Sequence, residues 1–411
     1  MKRLIFLAIS FSIIVASCSK SKDAPVPVPV PVKPVIPPAN GELTKQNVKT
    51  YMVDANATNE TAALFFNLKK LSKTHFAIGQ QDAFSGFYND QTGDSDIKKS
   101  TSSDPALLGS DFLFITDKEN NGQANNWFYQ QEVKTITAVT KAYNLGMINI
   151  FSWHLREPYK QNTFYANDMT TEEKNSAFRS ILPGGANHEW YKIKLDKVAL
   201  VISNLRGSKN ELIPVIFRPF HEFDGSWFWW GANFCTPEEF KTGFRFTVDY
   251  LKNTKGLHNV LYSFGPDNSY DTEAKYLSRY PGDAYVDVLG IDNYGDFNTT
   301  SGITGSNRAN TKFKVVSDLA KARVKIAALT ETGYQVNSTK PPISGWFSNF
   351  LYNSLTANNI EIGFVMLWVN STNSYYVPTP STSNVQDFID FSNKPKSVLL
   401  NKLPSMYTIV E

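Results

Sequence analysis

The chain has 411 residues, and its 41 basic and 38 acidic side chains give a formal net charge of +3. That balance argues against a nucleic-acid surface, which needs a marked basic excess on one face. With 14% aromatic residues and only two cysteines, the chain must build its core from apolar packing rather than from a disulfide framework.

At the N-terminus, Met1-Lys2-Arg3 is a basic n-region, and Leu4 to Ala16 is an apolar segment too short to span a bilayer. It runs into Val15-Ala16-Ser17-Cys18, which resembles the lipobox of bacterial lipoproteins. The resemblance implies that Cys18 becomes the lipidated first residue of the mature chain; an ordinary secretory signal with an incidental cysteine is the alternative. In either case Cys235 is left without an intrachain partner. Ser19 to Asp23 leads into Ala24 to Pro38, where alternating Pro and Val forbid a helix and favour polyproline II. At ~3.1 Å per residue this stretch holds a domain ~45 Å from its anchor. It reads as a spacer rather than a P-x-x-P ligand. The expected organisation is a signal peptide over 1–17, a lipidated Cys and linker over 18–40, and a catalytic domain over 41–411. The localisation expected from this is a lipoprotein anchored in a Gram-negative outer membrane. Roughly 370 uniform residues exceed the usual domain, but α/β barrels reach that size as one unit.

Within that domain, eight apolar, strand-like runs fall at 74–79, 106–115, 146–153, 212–217, 259–264, 286–291, 325–329 and 363–368. Helical patterns lie between several of them. Leu195, Val198, Ile202 and Leu205 form one apolar stripe, and Phe240, Phe244, Val248 and Leu251 form another. The second stripe follows Thr236-Pro237-Glu238-Glu239, with an N-cap Thr, Pro at the first helical position and Glu three residues after the cap. Eight strands alternating with helices predict a (β/α)8 TIM barrel, whose active face is the C-terminal end of its strands.

The residues closing these runs are chemically coherent. Gln80 and Gln81 close the first run, and Trp153 and His154 the third. The fourth ends in Arg218-Pro219-Phe220-His221-Glu222, followed by Trp227, Trp229 and Trp230. Asp292 and Tyr294 close the sixth, Glu331 the seventh, and Trp368 with Asn370 the eighth. A carboxyl beside aromatic rings has its charged form disfavoured and can stay protonated near neutral pH. Aromatic faces beside a proton donor suit a sugar, and glycosidic cleavage needs a second carboxylate, here Glu331. Opposed across a barrel mouth, Glu222 and Glu331 would stand about 5–5.5 Å apart, the separation for double displacement with retention. A lone Glu after a strand is more often a surface or capping residue; the crowding of Arg, His, Glu and Trp at one strand end favours catalysis. His221-Glu222 does not read as a zinc motif, since Gly225 stands where H-E-x-x-H requires a second His. Neither a G-x-S-x-G elbow nor a phosphate loop occurs.

Arg218-Pro-Phe-His-Glu222, Gly225-Ser-Trp-Phe-Trp-Trp-Gly231, Thr330-Glu-Thr-Gly333 and the Trp153-His154 pair together resemble glycoside hydrolase family 26, from Gly41 to the C-terminus. The resemblance implies β-mannanase activity, with Glu222 as acid/base and Glu331 as nucleophile. It further implies that His221 and Tyr294 orient the nucleophile, and that His154, Trp227 and Trp368 line the sugar subsites. Arg218 is a partner for the nucleophile's charge or a buried structural ion pair. Trp229 and Trp230 are as apt to pack as to bind, while His75, His188 and His258 are structural or exposed. No metal or other cofactor is required. The expected partner is β-mannan or manno-oligosaccharide, with membrane contact only through Cys18, no nucleic acid, and a monomeric state. Alternatives are an exo-acting, mannobiose-releasing mannanase, a β-1,3-xylanase or mixed-linkage β-glucanase, and a glycan-binding surface lipoprotein without turnover.

Overall fold

The computed structural model describes residues 42–85 and 93–410; the signal, lipidation and linker readings at 1–40, Cys18 included, lie outside them. Eight parallel strands form the barrel: β1 Phe76–Gln81, β2 Leu107–Asp111, β3 Ile148–Ser152, β4 Val215–Arg218, β5 Val260–Phe264, β6 Val288–Asn293, β7 Ile326–Thr332 and β8 Phe364–Leu367. They pair in sequence order, and β8 pairs with β1, which pairs with β2, so the sheet closes. Each strand lies on one of the expected apolar runs, because a parallel strand buried on both faces is apolar nearly throughout. A two-residue strand, β9 (Ser397–Val398), adds to the base of β1 and is too short to leave a pattern in the sequence.

Side chains alternate between two apolar layers. Ala77, Leu107, Ile148, Ile150, Ile216, Leu261, Val288, Ile326, Phe364 and Met366 form the inner cluster. Ile78, Leu108, Phe151, Phe217, Tyr262, Leu289, Leu329 and Val365 face the outer helices. Both predicted stripes bury their apolar faces in that outer layer, on helices His188–Asn204 and Pro237–Asp249. Thr236 and Glu239 make the reciprocal capping bonds that start the second of these. Helix Asn59–Ser72 contributes Ala62, Leu64, Phe65 and Leu68 to the inner cluster. Just before that helix, Val53 donates its N–H to Asp287 at the foot of β6, and Lys325 reaches the Tyr51 carbonyl at the foot of β7. These contacts cover the N-terminal end of the barrel and leave the C-terminal end open.

Candidate active site

At the C-terminal ends of the strands is a cleft of about 560 Å³, lined by His154, Glu222, Trp227, Tyr294, Glu331 and Trp368 among others. Two further residues expected at the site, Arg218 and His221, are buried beneath its wall.

Strand alternation explains Arg218. Ile216 faces the barrel axis, so Arg218, two residues on, faces it too. Its guanidinium bonds Asp292 at 2.6 Å and also bonds a carboxylate oxygen of Glu331. The two readings of Arg218 are therefore one: a buried ion pair that includes Glu331. Glu331 is harder to derive. Inner positions on β7 run Ile326, Ala328, Thr330, which would turn Glu331 outward. A register shift between β6 and β7 instead sets Glu331 opposite Asp292 and leaves Thr330 as the extra residue. This β-bulge aims both side chains at the site. The Thr330 hydroxyl donates to Asp292 at 2.6 Å, and the Tyr294 hydroxyl donates to Glu331 at 2.9 Å. Two residues past Glu331, Gly333 has φ 155°, and a Cβ there would stand 2.4 Å from the Tyr376 ring that walls the cleft. Glycine permits that approach.

Glu222 lies four residues beyond the end of β4, in a turn in which both Phe220 (φ 51°) and Glu222 (φ 52°) adopt the left-handed region. For non-glycine residues each costs on the order of 1 kcal/mol and persists only where the surroundings hold it. The Glu222 N–H donates to the Gly265 carbonyl at 2.9 Å, and Trp227 Nε1 donates to its carboxyl at 2.7 Å. Trp229 and Trp230 are fully buried and pack; their indoles donate to the carbonyls of Leu155 and His221.

One oxygen each of Glu222, Asp292 and Glu331 lies within 4.8 Å of the other two. Such a trio suits a cation, and Arg218 already supplies positive charge to two of its members. The electrostatics are asymmetric. Burial, and then the charges of Glu331, Asp292 and Asp267, push the Glu222 carboxyl well above its usual range, with Arg218 opposing. Burial, and then the charge of Glu331, raise Asp292 well above its usual range as well, but Arg218 and the Thr330 hydroxyl bond it directly and oppose the rise, and neither bonds Glu222. Glu222, with no cation bonded to it, is therefore the seat for a proton, while Arg218 bonds the carboxyl groups of both Asp292 and Glu331. Tyr294, raised by burial and by Glu331, remains a neutral donor.

His221 does not bond Glu331. Its Nε2 lies 3.2 Å from Nε2 of His154, whose Nδ1 is 2.5 Å from Asp111. Asn370 is also outside the cleft; it braces its loop through Asp96, Tyr376 and Val377. His75, His188 and His258 bond Thr74, Ile181 and Asp54, away from the site. Sequence reasoning missed Asp111, which lay hidden inside a strand run drawn four residues too long. It also missed Asp267, Tyr165 and Tyr376 on the cleft wall; Asp267 lies three residues past β5, a strand end to which no site residue was assigned, and Tyr165 and Tyr376 lie in the longer loops after β3 and β8. Burial and the neighbouring Asp224 push the Asp267 carboxyl up to about 7.

A closed barrel with two carboxyl groups facing one another in an aromatic cleft at its C-terminal end is the framework of a glycoside hydrolase. The sequence model of glycosyl hydrolase family 26 matches residues 53–350, and the chain belongs to that family. A mannan endo-1,4-beta-mannosidase of Bifidobacterium adolescentis is 32% identical over 89% of this chain, which spans 37% of that relative's length. Among solved structures, GH26C from Muricauda sp. MAR_2010_75 is 52% identical, with TM-score 0.87 over 89% of this chain and 99% of that one. An endo-beta-1,4-mannanase of Cellulomonas fimi is 30% identical, with TM-score 0.78 over 87% of this chain and 79% of that one.

Proposed function

We propose that the protein is a retaining endo-β-1,4-mannanase that cleaves mannan and galactomannan. The observation that carries the mechanism is the Glu222–Glu331 pair: an oxygen of each lies within 4.8 Å of the other, which supports retention, since inversion needs about 6.5–9.5 Å to admit a water between the groups. The substrate class rests on the mannan-cleaving relatives.

In the first step ionised Glu331, oriented by Tyr294 and Arg218, attacks the anomeric carbon while Glu222 gives its proton to the departing glycosidic oxygen. In the second, the Glu222 carboxylate takes a proton from water as the water displaces Glu331, which returns Glu222 to its acid form. Trp227 holds the Glu222 carboxyl in place throughout. Trp368 and His154, with ring centroids 6.1 Å apart, touch each other and wall one side of the cleft where the sugar would lie. The lipobox-like Val15 to Cys18 supports a lipid anchor for the mature protein.

Reducing-sugar release from β-1,4-mannan, β-1,3-xylan, β-1,4-xylan, cellulose and lichenan, measured in parallel, tests the substrate. Mannan should be cleaved fastest, and hexaose digestion should give mixed short products. Faster cleavage of any of the other polymers would overturn the assignment.

A further inference from the structure

Asp111, at the end of β2, touches no catalytic carboxyl, yet its hydrogen bonds lead to one. Its carboxylate accepts from Leu113 N (2.7 Å), His154 N (3.2 Å), the Ser152 hydroxyl (2.8 Å) and His154 Nδ1 (2.5 Å). Burial pushes its pKa up, but the His154 interactions and the other donors outweigh this and hold the group below its usual value. An ionised carboxylate only accepts, so His154 Nδ1 carries a proton. The His154–His221 contact at 3.2 Å then needs one donor and one acceptor. Burial and the Arg218 charge keep His221 neutral, so it has a single N–H. Its Nδ1 is buried and bonds to no described residue. A bare buried nitrogen is tolerated more readily than an orphaned N–H, so the His221 proton sits on Nε2 and points at the lone pair of His154 Nε2. Every polar atom of the chain Asp111–His154–His221 is thereby assigned.

His221 lies between Phe220 and Glu222, the two left-handed residues of the turn that carries the acid. Such a turn stays put only if something holds it. We infer that Asp111 is a positioning residue: through His154 and His221 it locks the left-handed turn that aims the Glu222 carboxyl at the glycosidic oxygen. The inference rests on the proposed role of Glu222 as proton donor.

Asp111→Asn tests it with little change of volume. The amide puts an N–H where His154 Nδ1–H now donates, which drives His154 to the Nε2–H tautomer and His221 to Nδ1–H. Histidine ¹⁵N NMR of the wild type should report Nδ1–H for His154 and Nε2–H for His221, with both reversed in the variant. Mannan kcat should fall about 10–100-fold, as expected for a catalytic group displaced by about 1 Å, with KM changed less than threefold. A dinitrophenyl β-mannobioside, whose leaving group departs without a proton, should lose at least fivefold less than mannan. An Nδ1–H tautomer of wild-type His221, an unchanged mannan kcat, or equal losses on both substrates would each overturn the inference. The NMR result needs no substrate, so a wild type inactive on mannan would refute the proposed function and leave the tautomer assignment separately decided.

Discussion

At the scale of single residues, the account turns on which carboxyl carries the proton. Glu222 has burial and three acidic neighbours against it and no cation bonded to it; Glu331 has Arg218 and Tyr294. Glu222→Gln should therefore cut kcat on mannan roughly 10²–10⁴-fold and leave the fold intact, checked by initial rates and circular dichroism. The same burial has a stability consequence. A carboxyl whose folded-state pKa is raised contributes stability that is fully present below its unfolded value and is lost as pH rises through the folded one. Above that point the ionised Glu222 is a liability, so Glu222→Gln should be more stable than wild type at pH 8, by about 1 kcal/mol, and no more stable at pH 4. Thermal melts at the two pH values decide it; a variant less stable at pH 8 contradicts the proton assignment. Much of this was legible in the sequence, because Arg218, Glu222 and Glu331 stand at the ends of recognisable apolar runs and Trp227 follows Glu222 in the same aromatic motif. Asp111 was not, since a hydrogen-bond relay between two histidines leaves no trace in spacing.

At the scale of elements, the eight strands could be read because burial on both faces demands unbroken apolar runs, and the two helices because their stripes match the helical period. The β6–β7 bulge could not. Alternation along Ile326-Ala-Ala-Leu-Thr-Glu331 places Thr330 inward and Glu331 outward, and only the register shift turns both toward the site. Gly290 makes room for this arrangement: a Cβ there would stand 2.6 Å from the Thr330 hydroxyl that holds Asp292. Gly290→Ala should thus destabilise the barrel by about 1–3 kcal/mol through overpacking and lower kcat as well, because the displaced Thr330 no longer holds the Asp292–Arg218–Glu331 cluster. Urea unfolding together with mannan kinetics checks both; a variant as active and as stable as wild type would mean that the bulge has slack.

At the scale of the whole molecule, the proposed design is a rigid barrel hung from a membrane by a proline-rich spacer. The alternating Pro and Val of the spacer read as an extended tether rather than as part of a packed core. A protein beginning at Gly41 should therefore be as active on mannan as the full chain, within about twofold, and Cys18→Ala should move the full chain from the outer-membrane fraction to the soluble one. Fractionation and rates on the same preparations test the anchor and the spacer separately. The central claim, that Glu331 and Glu222 cleave β-mannan by double displacement, is tested most directly by following the anomeric protons of fresh product during mannopentaose hydrolysis by NMR. The account predicts that the β-anomer appears first and mutarotates later. Initial release of the α-anomer would contradict it.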